Sequence, residues 1–109
     1  MATTYKVLGQ SNPAATTLTT LYTVPSATEA VVSTVLVSNI SASAITYRIA
    51  VRPDGEAVAN KHYIAYDATL PANSNVAYTI GLTLNAADVI SVYASDTNGV
   101  FQAYGSEIA

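Results

Sequence analysis

Residues 44–52 read Ala-Ile-Thr-Tyr-Arg-Ile-Ala-Val-Arg, and their character alternates one residue at a time. Successive side chains of a strand point to opposite faces. Ile45, Tyr47, Ile49 and Val51 therefore share one side, and Thr46, Arg48, Ala50 and Arg52 share the other. A helical period of 3.6 would scatter the first four around the whole circumference, so this stretch predicts a strand with one face on a core. Pro53-Asp54-Gly55 closes it as a turn, since Pro fixes φ and Gly accepts φ > 0.

The same pattern continues outward in both directions. Upstream, residues 29–38 form the most apolar run, with Val31, Val32, Val35, Leu36 and Val37, and read as a central strand covered on both faces. Residues 5–9 and 16–24 are shorter strands, the second ended by Pro25. Downstream, a short helical turn is expected at 57–59, and a strand over 62–70 places Tyr63 and Tyr66 on opposite sides. Residues 76–84 alternate throughout, with Gly81 as a candidate bulge, and strands over 88–95 and 100–105 complete the set. About eight strands with no amphipathic helix predict an all-β, two-sheet antiparallel β-sandwich, formed by residues 1–109 as one domain. Ile45, Tyr47, Ile49, Val51, Ile80, Leu82, Ile90 and Val92 are the expected shared core.

Charge is scarce. Only 10% of the 109 residues are charged, against about a quarter in an ordinary soluble domain, and the formal net charge is −3. Four basic side chains cannot build the cationic footprint that phosphate backbones require, so no nucleic-acid partner is expected. No stretch reaches the roughly 18 apolar residues of a membrane span, and the N-terminus lacks a basic segment leading into an apolar one. A protein exported by a signal segment would normally show one, whereas a protein that reaches the outside by lysis would not, and extracellular and intracellular settings both remain open. Cysteine is absent, so neither disulfides nor thiolate metal sites contribute.

Candidate chemistry is sparse. His62 is the single histidine and reads as a strand residue; no Gly-x-Ser-x-Gly elbow accompanies the serines. The seven carboxylates are dispersed along the chain, so no converging pair for glycoside hydrolysis is expected. Asp54-Gly55-Glu56 and Asp96-Thr97-Asn98-Gly99 read as turns in preference to weak calcium loops. Asn39-Ile40-Ser41 matches a glycosylation acceptor but reads as a turn whose Asn side chain bonds nearby backbone. The expectation is a non-enzymatic chain with no catalytic residue, metal or cofactor, working through its surface.

The candidate interface residues follow from that. Tyr5, Val7 and Leu8 are too apolar for a loose terminus and are expected to anchor the segment 1–10 to a neighbour. Tyr63 belongs to a set of eight tyrosines, a residue type enriched at interfaces. Arg48 and Arg52 share a strand face and are the cations placed to pair with a partner.

Four segments carry a resemblance. Thr4-Tyr-Lys-Val-Leu-Gly-Gln10, Leu21-Tyr-Thr-Val-Pro25, Thr83-Leu-Asn-Ala-Ala-Asp-Val-Ile-Ser-Val-Tyr93 and Phe101-Gln-Ala-Tyr-Gly-Ser-Glu-Ile108 together resemble small β-sandwich virion proteins of tailed phages infecting marine bacteria and cyanobacteria. The third is similar to a strand of jelly-roll head-decoration and fibre-knob domains, with Ala87 where those domains commonly have Gly. The resemblance implies a jelly-roll-like capsid decoration or cement protein, a homotrimer on the capsid surface that bridges the major capsid protein or other virion proteins. A tail, head-fibre or adaptor component is the alternative within that group, and a stand-alone carbohydrate-binding or adhesin module is the alternative outside it.

Overall fold

The computed structural model describes residues 2–109. Nine strands follow one another: β1 (Thr3–Ser11), β2 (Thr19–Thr23), β3 (Glu29–Asn39), β4 (Ile45–Arg52), β5 (Tyr63–Leu70), β6 (Asn75–Tyr78), β7 (Leu82–Leu84), β8 (Val89–Ala94) and β9 (Gly99–Ile108). Single 3-10 turns occupy Pro53–Gly55 and Asn60–His62. The second lies beyond the 57–59 segment expected to turn.

All pairings are antiparallel. One sheet has the order β1-β9-β3-β6, with β7 on the same side of β3 as β6; the other has the order β2-β8-β4-β5. β6 and β7 run along one edge of β3, so they act as one interrupted strand and the count returns to eight. The chain passes between sheets at nearly every connection, which is the strand order of a jelly roll.

The core lies between the sheets. Ile45, Tyr47 and Ile49 of β4 meet Val92 and Ile90 of β8 on one layer, while Val32, Val35 and Val37 of β3 and Phe101 of β9 fill the other. Val51 and Leu82 are half-buried against this cluster. Polar links tie the layers together: the Tyr47 and Tyr78 hydroxyls meet at 2.6 Å, and the Tyr22 hydroxyl donates to Glu107 at 2.5 Å. Burial, followed by the hydrogen bond to Tyr78, raises the Tyr47 phenol above its ordinary value.

The expected core residue Ile80 is instead 56% exposed. Its run does not continue as one strand: Val35 pairs Tyr78 and Val32 pairs Leu82, so three residues of one strand oppose two of the other. At the same level β3 carries an extra residue, Ser33, against β9, and β1 carries Leu8. Three strands thus bulge around Tyr104, and β3 changes its inward parity from Ala30 and Val32 to Val35 and Val37. Bulges increase local twist and re-aim side chains. Gly105 sits where a Cβ would lie 2.0 Å from the Val31 carbonyl oxygen, so the close approach of β9 to β3 needs glycine there.

Candidate interaction surfaces

The outer face of the first sheet is set by the alternation of β1, β9 and β3. Tyr5 and Val7 on β1 pair with Ser106 and Tyr104 on β9, and Val31 of β3 pairs with the same Ser106. Tyr5 is 84% exposed and Val7 is also exposed. With Val31, Ser33 and Tyr104 they line a shallow depression of about 510 Å³. Leu36 lies between Gln102 and Ala77, extending the apolar strip across the sheet.

By strand alternation Glu29, at one end of β3, is the single formal charge among the outward strand positions of this sheet in the described residues, and Lys6, paired with Glu107 at 3.0 Å, also borders the depression. Polar groups there bond one another. The Gln10 amide donates to Gln102 at 3.1 Å, the Tyr104 hydroxyl donates to the same Gln102 oxygen, and the Ser33 hydroxyl donates to the Tyr104 carbonyl. Polar groups already paired lose little when a partner displaces water, whereas unpaired ones would cost about 1–3 kcal/mol each.

Leu8 is separated from Tyr5 and Val7. As the bulged residue of β1 it packs against the core cluster, so the face carries two of the three N-terminal candidates.

Arg48, Arg52 and Tyr63 lie on the opposite sheet. On its outer face Arg48 pairs with Tyr93 of β8 and faces β5, where two bulges fall within four residues. These bulges overturn the expected placement of Tyr63 and Tyr66 on opposite sides. Ala65 and Ala68 both pack on the core, and the two tyrosine rings meet edge to face on the outside, 4.8 Å apart. The Arg48 guanidinium lies 4.2 Å from the Tyr66 ring centre and 4.1 Å from that of Tyr93. Its Nε and Nη2 donate to the two Asp67 oxygens at 2.6 and 3.2 Å. This bond holds the Asp67 carboxyl below its ordinary range and raises the guanidinium further.

Arg52 has a different task. It donates to the Glu56 and Gly55 carbonyls at 2.7 and 3.1 Å and to the Ser91 hydroxyl at 2.9 Å, securing the 53–56 loop against β8. Asp88 secures the same corner, accepting from the Asp54 and Asn85 amides at 2.8 Å each. Ala87 beside it adopts φ +71°, the left-handed conformation a glycine would take more easily.

The remaining motifs hold loops. His62 lies in the turn before β5 rather than in the strand, buried. Its Nδ1 accepts from the Ala59 amide at 3.0 Å, which places the proton on Nε2, 3.2 Å from Glu56. Asp96 accepts from the Asn98 amide and side chain at 3.0 and 2.9 Å, a local turn. Asn39 is buried, donating to the Ser43, Leu70 and Pro71 carbonyls and accepting from the Ser41 amide. Among the described residues, no three His, Asp or Glu side chains converge as metal ligands.

The exposed aromatic cluster of Tyr63, Tyr66 and Tyr93 was not legible as a unit in the sequence. Adjacent bulges in β5 assemble it, and bulges of this kind leave only weak local signals. No family model matches the chain, and no curated protein or solved structure matches it either.

Proposed function

We propose that this chain is a structural protein of a virus particle that decorates and reinforces the capsid shell, docking through the outer face of the β1-β9-β3 sheet. The observation that carries this reading is that face: Tyr5 and Val7 stand exposed over Val31 and Tyr104, with Glu29 the one formal charge among the outward strand positions of the described residues and the bordering Lys6 already paired with Glu107. An apolar surface rimmed by paired polar groups favours burial against another protein. The jelly-roll order and the likeness of the N-terminal and C-terminal segments to virion proteins support the same reading. β1 is also an edge strand, so it offers backbone donors and acceptors to an added strand. A homotrimer seated between major capsid subunits uses both features.

The test replaces Tyr5 and Val7 together with Asp. Both are exposed, so folding should survive, with less than about 0.5 kcal/mol lost per position. Binding to particles stripped of the native protein should fall below detection, and light scattering of the unaltered chain at micromolar concentration should give a trimer. Cryo-electron microscopy of the particle locates the copies. Density confined to the tail, or a strict monomer both free and bound, would overturn the cement reading.

A further inference from the structure

We propose that the outer face of the other sheet carries a binding site for an uncharged saccharide, built on Tyr63 and Tyr66. Tyr66 is 56% exposed on a strand face, and with Tyr63 and Asn60 it lines a cleft of about 340 Å³. An aromatic ring beside an exposed amide suits a ligand that is apolar on one side and hydroxylated on its rim. A pyranose has that character: its C–H face stacks on an exposed tyrosine ring while its hydroxyls bond the Asn60 amide.

Charge selects among ligands. The Arg48 guanidinium is matched by Asp67 at 2.6 Å, and Lys61, next to Asn60 in the chain, is 3.9 Å from Glu56. Each of these cations has a carboxylate at ion-pair distance, Glu56 also meeting His62, which leaves no surplus field to recruit a phosphate, a sulfate or a cationic ligand. Neutral hydroxylated chains fit that balance.

The site is also held rigid. Arg48 lies against the rings of Tyr66 and Tyr93, so Tyr66 loses little rotamer freedom when a ligand stacks on it. Asp67, which locks Arg48, adopts φ +49° within the bulge of β5 between Ala65 and Ala68. A non-glycine residue in that conformation costs about 1–3 kcal/mol, and such strain concentrates at ligand sites. The inference is independent of the docking face, since the two lie on opposite sheets of the sandwich.

Affinity electrophoresis of the intact chain tests it, in native gels containing laminarin, galactomannan, dextran or xylan, with alginate as the anionic control. At least one neutral polysaccharide should retard the protein. Tyr66→Ala should weaken that retardation about tenfold or more, the loss that corresponds to about 1.4 kcal/mol of contact. Tyr66→Phe should retain it. Asn60→Ala, at an exposed turn position, should weaken it without shifting the melting temperature. The Tyr5→Asp, Val7→Asp double variant should be retarded as strongly as the unaltered chain, which separates this site from the capsid-docking face. No retardation in all four neutral gels, retardation by alginate alone, or retardation untouched by both Tyr66→Ala and Asn60→Ala would overturn the proposal.

Discussion

Glu107 shows how one side chain acquires altered chemistry from its position. Near the end of β9 it turns between the sheets, where the Tyr22 hydroxyl donates to it at 2.5 Å and the Lys6 ammonium lies at 3.0 Å. The hydroxyl first and the ammonium second hold its carboxyl below the ordinary range, while burial followed by the hydrogen bond to Glu107 raises the Tyr22 phenol. The folded pKa of Glu107 lies below the unfolded one. The group therefore adds stability above the unfolded value of about 4.3, and that stability is lost as pH falls through the folded value. Tyr22→Phe should lower the unfolding free energy by about 1.5–3 kcal/mol at neutral pH, the scale of a hydrogen bond to a charged group. Denaturant titrations at stepped pH should show the gap between variant and parent narrowing as acid protonates Glu107. A gap that stays constant to the acid limb would assign the loss to ring packing instead.

Among elements, the contrast between β4 and the β6–β7 ribbon is instructive. Both alternate well in sequence, yet β4 pairs with β8 without interruption while the ribbon breaks at 79–81. Gly81, the candidate bulge of the sequence, marks the break at φ +62°, and inward parity is kept across it: Val76, Tyr78, Leu82 and Leu84 all pack on the core, while Ile80 within the break faces out. The consequence is measurable. Ile49 and Ile90 are fully buried, so truncating either to Ala should cost about 2–5 kcal/mol. Ile80→Ser, at an exposed position, should change stability by less than about 0.5 kcal/mol. Thermal unfolding of the three variants compares them directly; a large loss for Ile80→Ser would contradict the placement of the 79–81 bulge.

For the molecule as a whole, the distribution of charge separates two surfaces. The docking face carries little charge, and the opposite face carries charges already paired within the chain. Screening acts on charges and leaves buried apolar area largely untouched. Retention on particles should therefore vary little between about 0.15 M salt, with a Debye length of roughly 8 Å, and about 1 M, where it is roughly 3 Å. Washing particles at both ionic strengths and measuring the bound fraction checks this. Wholesale release at high salt would move the docking contact to Arg48 and its neighbours.

The alternation of residues 44–52, the apolar run of 29–38 and the turn residues between strands determined the all-β class and the antiparallel sandwich, because strand period and turn chemistry are local properties. The sequence also carried the inward Ile49, Ile90 and Val92, and the turn-forming use of Asn39 and Asp96. Tertiary structure alone decided what happens at the bulges: the exposure of Ile80, the withdrawal of Leu8 to the core and the pairing of Tyr63 with Tyr66. A single inserted residue reverses every side chain after it. Whether a strand accommodates one depends on the neighbours it meets across the sheet, which lie far away in sequence.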